Sequence, residues 1–210
     1  MKKICIFDLD GTLIDSMPEW AQSMIKILNE EKIEYPENII DIITPLGNLG
    51  AADLFIEMGV KCSKEELLPR MRGYAYEAYA ERIPLKSGVE NYLKKLREEG
   101  HILAVLTASP HITTDVCLKR CGVYDLFEKV WSVEDFGLVK ADPQIYHKAA
   151  ERLGADISEI TFFDDNLIAL TAAKEAGLMC VGVYDSSSDS NTEKIKSIAD
   201  VYIDSFLQLV

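Results

Sequence analysis

An apolar run, Ile4 to Phe7, leads straight into Asp8; Asp10 follows two residues later and Gly11 makes a turn. Side chains alternate along an extended chain, so Asp8 and Asp10 leave the strand on the same side. Carboxylates held that close repel one another, and a divalent cation is a common remedy. A solvated acidic turn or a helix cap is the plainer reading of the same residues. Three later features bear on the choice. Leu106–Thr107–Ala108–Ser109 ends an apolar run with two hydroxyls before a helix start, where free backbone amides suit an anionic oxygen. Ser109 before Pro110 is equally an ordinary N-cap. Lys140 stands just before another helix; a lone Lys is usually solvated, but a phosphate site in a chain this acidic needs a fixed cation. Asp164 and Asp165 directly follow an apolar strand, where consecutive acids are costly unless they ligate or cap something. Asp165 or Asn166 as a cap for the next helix is the alternative.

The elements that must position these residues alternate along the chain. Candidate strands are Ile4–Phe7, Ile102–Leu106, Lys129–Trp131, Ile160–Phe163, Cys180–Val183 and Val201–Ile203. Their nearly continuous apolar character fits strands covered on both faces of a parallel sheet. The helices between them carry start and stop signals. Ser87 with Glu90 reads as a capping box and Gly100 closes that segment. Ser109–Pro110 opens the next helix, and Gly122 ends it. Asp142–Pro143 pairs an N-cap with Pro in the first turn, with Gly154 at the far end. A further helix runs from Asn166 to Gly177. This alternation predicts an α/β, doubly wound parallel-sheet core.

Residues 17–83 break the pattern. They contain no convincing strand, and Pro36, Pro45 and Gly47 divide them into helical pieces, the last opened by Ser63 and Glu66 and running towards Arg82. The domains expected are therefore a core of residues 1–16 and 84–210 and a small all-helical insert, 17–83, after the first strand. Such an insert would cover the C-terminal edge of the sheet, where ligands bind in open α/β folds.

Composition limits the function classes. The chain has 210 residues, 48% of them hydrophobic, enough for one substantial domain with an insert. A formal net charge of −13 argues against a broad nucleic-acid surface, because phosphate backbones need clustered Lys and Arg. The apolar stretch near the start is too short for a signal peptide, and no run approaches a membrane span. The five cysteines (5, 62, 117, 121 and 180) form no CxxC and suit a reducing compartment. The expectation is a soluble, cytoplasmic protein with no nucleic-acid or membrane partner. His101, His111 and His147 have no spacing that points to a metal.

The four features in order, each at a strand's C-terminal end, are far more specific than any one. FDLDGTLIDS, LTAS, VKADPQIY and FFDDN resemble the four motifs of the haloacid dehalogenase-like superfamily of phosphohydrolases, and the resemblance spans essentially the whole chain. The helical insert resembles the cap of the subgroup containing phosphoglycolate phosphatase and β-phosphoglucomutase. The resemblance implies a Rossmann-like core and a Mg²⁺-dependent enzyme acting on a small phosphorylated metabolite. It implies Asp8 as the nucleophile, forming an aspartyl-phosphate, and Asp10 as the acid that protonates the leaving alcohol and then activates water. Thr107 and Lys140 would hold phosphoryl oxygens, with the Ala108 amide and Ser109 beside them. Mg²⁺ would be bound by Asp8, the Asp10 main-chain carbonyl and Asp165, with Asp164 binding it directly or from behind.

The resemblance has departures. Val139 precedes Lys140 where the family has Gly, Ala141–Asp142 replace the usual Pro and its neighbour, and Asn166 stands where Ser is common. Within the insert, Thr44–Pro45–Leu46–Gly47–Asn48 resembles a substrate-facing loop, giving Gly47 and Asn48 as substrate contacts; an ordinary helix–helix turn is the alternative. Tyr74, Tyr76 and Tyr79 read mainly as packing. A sugar-phosphate mutase is the nearest rival to the phosphatase, and it would need cap residues to rebind a sugar that the sequence does not identify. A signalling receiver domain shares the acid–Thr–Lys set but has no long insert after its first strand. A monomer or weak homodimer is expected.

Overall fold

Ile4–Phe7 forms the first strand, β1, and is buried on both faces, which explains a strand with no polar alternation. In the computed structural model the described residues are 4–43 and 46–210. In chain order β1 is followed by α1 (Met17–Glu30), α2 (Ile39–Ile43), α3 (Gly47–Met58), α4 (Lys64–Glu81) and α5 (Val89–Glu98). Then come β2 (Ile102–Thr107), α6 (His111–Arg120), β3 (Lys129–Ser132), α7 (Gln144–Leu153) and β4 (Ile160–Asp164). The chain continues through α8 (Leu167–Ala176), β5 (Met179–Val183), α9 (Thr192–Ile198) and β6 (Val201–Ile203). It divides into two compact units, Met1–Asp15 with Pro84–Val210, and Ser16–Ile83.

The first unit is an α/β, Rossmann-like layer structure. Its six strands are parallel, in the order β3-β2-β1-β4-β5-β6. The chain winds outwards one way from β1 through β2 to β3 and the other way from β4 to β6. The crevice between β1 and β4 is therefore the switch point at which open α/β sheets bind ligands. Period-two alternation splits the core. Ile4 and Ile6 join Ala104, Leu106, Ile160, Phe162 and Tyr146 in one apolar cluster. On the other face Phe7 stacks on Phe163 with ring centroids 4.5 Å apart, and Phe206 and Tyr92 pack around them.

The second unit is all-helical among its described residues and has its own core. Met24, Ile27 and Leu28 of α1 meet Ile39, Ala52, Phe55, Leu67 and Met71. The Ser63–Glu66 capping box forms at the start of α4, with Ser63 Oγ accepting from the Glu66 N–H and Glu66 Oε2 accepting from the Ser63 N–H.

Several expected caps form and two do not. Asn166 Oδ1 accepts the N–H groups of Ile168 and Ala169 at the start of α8. Asp142 Oδ1 accepts from the Gln144 N–H, so it caps α7 although the helix begins one residue later than expected. The Ser87–Glu90 box is absent: Gly88 is the N-cap residue of α5, at φ +88°, with no side-chain cap. A Cβ on Gly88 would lie 2.5 Å from the Leu207 nitrogen, so close packing of the C-terminal segment decides how this helix starts. Ser109 does not cap α6 either; Pro110 stands at that N-cap and the Ser109 hydroxyl turns elsewhere.

Candidate active site

Register brings the motif residues to one edge. Phe7 pairs with Val105 on β2 and with Phe163 on β4, so the residues after these strands emerge side by side. Asp8 follows β1 and donates its backbone N–H to the Phe163 carbonyl, which fixes its Cα beside Asp164. Thr107 ends β2, and Asp164 ends β4. Lys140 arrives from the segment before α7. The Tyr146 hydroxyl, 2.9 Å from the Lys140 carbonyl and 3.0 Å from that of Ala169, ties this segment to α8.

The centre is a buried charge cluster. Lys140 Nζ donates to Asp8 Oδ1 at 2.5 Å and to Asp164 Oδ2 at 2.8 Å. Asp8, Asp164 and Asp165 are 4%, 0% and 6% exposed, so these charges have left bulk water. Each offers a carboxylate oxygen, all within 4.8 Å of one another. Burial pushes the Asp8 carboxyl well above its ordinary range; Lys140 opposes this, while Asp164, Asp165 and Asp10 add to it. Burial, then Asp164, pushes Asp165 up to about 7. For Lys140 burial works against the ammonium, but Asp164 and Asp8 outweigh it and raise its pKa.

Hydroxyls complete the arrangement. Ser109 Oγ donates to Asp10 Oδ2 at 2.6 Å, which orients that carboxylate. The Ser109 N–H donates to Thr107 Oγ1 at 3.0 Å, which leaves the Thr107 hydroxyl proton available to another acceptor. Ala108 lies between them, exposed at the strand end. Thr12 Oγ1 donates to Asp165 Oδ1 at 3.1 Å and Ser188 Oγ to Asp165 Oδ2 at 3.2 Å. Asp164 Oδ1 accepts the Asn166 N–H at 2.7 Å.

Asp8, Asp10, Thr107, Ser109, Lys140, Asp164 and Asp165 therefore share one edge of the α/β unit. Gly47 and Asn48 open α3 in the helical unit, and Thr44 and Pro45 of that proposed loop lie outside the described residues. Thr12 and Ser188 were missed. Thr12 lay inside the first motif, and Ser188 follows the C-terminal end of β5, the position that marked the other site residues.

The donor set fits a hard divalent cation. Three buried carboxylates and one ammonium leave a formal charge of −2 at the cluster, and carboxylate oxygens with no thiolate or imidazole suit Mg²⁺-like ions.

The sequence profile of the haloacid dehalogenase-like hydrolases matches residues 2–177. YhcW of Bacillus subtilis (strain 168) is 30% identical over 186 residues, 86% of this chain and 83% of that protein. Phosphoglycolate phosphatase of Mannheimia succiniciproducens is 29% identical over 194 residues, covering 86% of this chain and 85% of that one. A Thermotoga maritima crystal structure, of a candidate β-phosphoglucomutase, superposes with a TM-score of 0.85 at 22% identity, over 97% of this chain and 94% of that one. This chain belongs to the haloacid dehalogenase-like hydrolase family. It is an enzyme of the hydrolase class, and the named phosphatases among its relatives are consistent with phosphoric monoesters as substrates. Among the described residues no helix is long and apolar enough to cross a membrane.

Proposed function

We propose that this protein is a Mg²⁺-dependent phosphatase that hydrolyses a small phosphorylated metabolite through an aspartyl-phosphate on Asp8. The observation that carries the reading is the Lys140 ammonium bonded to both Asp8 and Asp164, inside a cluster of three buried carboxylates. A nucleophile beside a fixed cation and a hard-oxygen donor set is what phosphoryl transfer requires, since that chemistry rests on positioning and charge stabilisation.

In the first step an Asp8 carboxylate oxygen attacks phosphorus and the ester P–O bond breaks. Asp10, held by Ser109, gives its proton to the departing alkoxide. In the second step Asp10, now a carboxylate, takes a proton from water as the water oxygen attacks phosphorus. The P–O bond to Asp8 breaks, which frees inorganic phosphate and restores both acids. Lys140 and the Thr107 hydroxyl bind phosphoryl oxygens throughout, with the Ala108 amide adjoining. Asp8, Asp165 and the Asp10 carbonyl would hold Mg²⁺, with Asp164 beside them. When bound, the ion offsets charge on the transferring group and on the carboxylates.

The helical unit, 17–83, is read as a cap that selects the substrate, with Gly47 and Asn48 as substrate contacts and hinges near Ser16–Met17 and Pro84–Lys86. The protein is read as cytoplasmic and as a monomer or weak homodimer.

The test is hydrolysis of a generic aryl phosphate by purified protein. Activity is expected with Mg²⁺ and lost in EDTA, and Asp8→Asn is expected to lower kcat by roughly 10³-fold or more. Full activity in Asp8→Asn sinks the covalent mechanism. A panel of phosphoglycolate, hexose phosphates and nucleoside monophosphates, ranked by kcat/KM, then identifies the substrate class. Preferential conversion of β-glucose 1-phosphate to the 6-phosphate overturns hydrolysis in favour of mutase chemistry.

A further inference from the structure

A second ammonium, bonded to none of the three clustered carboxylates, is drawn into the α/β unit. The Lys86 side chain is 18% exposed, and its Nζ donates to the Gly11 carbonyl at 2.6 Å, the Tyr184 carbonyl at 2.6 Å and Asp185 Oδ2 at 2.8 Å. An ammonium has three N–H donors, so this set uses all of them. The Asp185 side chain is 3% exposed, and its other oxygen accepts the backbone N–H of Ser187 at 3.0 Å and the Ser187 hydroxyl at 2.6 Å. Removing either member of such a pair leaves a poorly solvated charge without its partner.

The segments that Lys86 joins are the two that hold Asp165. The turn after β1 places Gly11 at φ +78°, against the Asp165 carboxyl group: a Cβ there would lie 2.8 Å from it. The next residue, Thr12, donates to Asp165 Oδ1. The segment after β5 carries Tyr184, Asp185 and Ser188, and Ser188 donates to Asp165 Oδ2. The two hydroxyl donors that orient this carboxylate thus come from stretches far apart in sequence. Lys86 bonds directly to both stretches. Its own backbone N–H donates to the Leu13 carbonyl.

We propose that Lys86, clamped by Asp185, is a positioning residue that sets the orientation of the Asp165 carboxylate and through it the affinity of the site for its divalent cation. This rests on the metal-dependent reading above. Groups that orient a metal-binding side chain commonly change metal affinity by about 10- to 100-fold when removed. A lysine that served only to staple two loops would change stability and leave the metal affinity alone.

The experiment measures Mg²⁺ binding by calorimetry on substrate-free protein, with the thermal midpoint and aryl phosphatase activity recorded alongside. The wild type comes first: a wild type that binds no Mg²⁺ overturns the metal reading, and this proposal with it, before any substitution is made. Given wild-type binding, Lys86→Met is expected to raise the Mg²⁺ dissociation constant about 10-fold or more. Its kcat should be largely recovered at saturating Mg²⁺, because Lys86 touches no reacting group. Unchanged Mg²⁺ affinity in folded Lys86→Met overturns the proposal, however far the midpoint falls. If Lys86→Met does not fold, Asp185→Asn decides, since it keeps the side-chain shape and the acceptor for Ser187. Weakened Mg²⁺ binding in that variant supports the proposal, and wild-type binding overturns it.

Discussion

Among the described residues both compact units carry exposed ion pairs, and the α/β unit also carries buried ones. In the helical unit Lys26–Glu77, Lys64–Asp53, Arg70 with Glu30 and Glu31, and Arg82 with Glu19 and Glu77 all have side chains between 23% and 58% exposed. In the α/β unit the side chains of Lys140, Asp8 and Asp164 are 13%, 6% and 0% exposed, and those of Lys86 and Asp185 are 18% and 3%. Exposed pairs gain little, because water and salt screen them and two flexible side chains must be ordered. Buried pairs are costly to assemble and costlier to break, so they fix where atoms sit more than they add stability. The same residue types therefore do different work: exposed pairs in both units lightly brace the surface, while the buried pairs of the α/β unit fix a cluster of atoms.

The largest break in this contrast should come from Lys140→Met. Three neighbouring buried carboxylates would lose their shared cation, and urea unfolding in EDTA is expected to show a loss of about 3 kcal/mol or more. On the proposed mechanism, loss of Lys140 as a donor to the phosphoryl group should also lower kcat by about 10²- to 10³-fold. Wild-type stability and activity in this variant would remove the distinction between buried and exposed pairs.

A far smaller effect is expected from Arg70→Gln on α4, although Arg70 donates to Glu30 at 2.7 Å and to Glu31 at 2.6 Å. A stability change below about 1 kcal/mol, shrinking further in added salt, is the expected outcome of a denaturant titration. A loss as large as that of Lys140→Met would show that exposure does not govern what these pairs contribute.

The smallest effect is a pH-dependent one. His111, on α6, lies 2.8 Å from Asp135 Oδ2 and 3.5 Å from Asp115 Oδ1, and the Asp135 hydrogen bond leads in raising its pKa above the ordinary 6.5. A raised folded-state pKa means that the native protein holds the proton more tightly than the unfolded chain. Its stabilisation is thus fully present below pH 6.5 and is lost as pH rises through the raised value. Thermal melts of His111→Asn should fall slightly below wild type at pH 5.5 and coincide with it at about pH 9. A difference that grows with pH would reverse the sign and refute the assignment.

Much of the fold was legible because local signals agreed with global packing. The six strands fall within a residue of their expected ends at each terminus, since a parallel sheet covered on both faces makes strands continuously apolar. The caps at Ser63 and Asn166 were legible because a cap is a contact within three residues. Ser87 was misread for the opposite reason: the Phe206–Leu207 backbone, distant in sequence, leaves room only for Gly88. Ser109 was read as a candidate cap and does not cap α6; its hydroxyl bonds Asp10, a partner 99 positions away. Thr12 could have been found within the first motif, whereas nothing local marks Lys86 or Asp185.

By itself the sequence determined the residue types that can do phosphoryl chemistry and the strand ends that carry them, because hydrophobic periodicity and helix punctuation act over a few residues. Only the tertiary structure decided which of those groups touch. The sheet order laid β1 between β2 and β4, so that Asp8, Thr107 and Asp164 emerge together, and the crossover returned Lys140 to the same crevice. The physical reason is range. A buried charge is defined by partners that satisfy it, and those partners come from segments brought together only when the whole sheet forms.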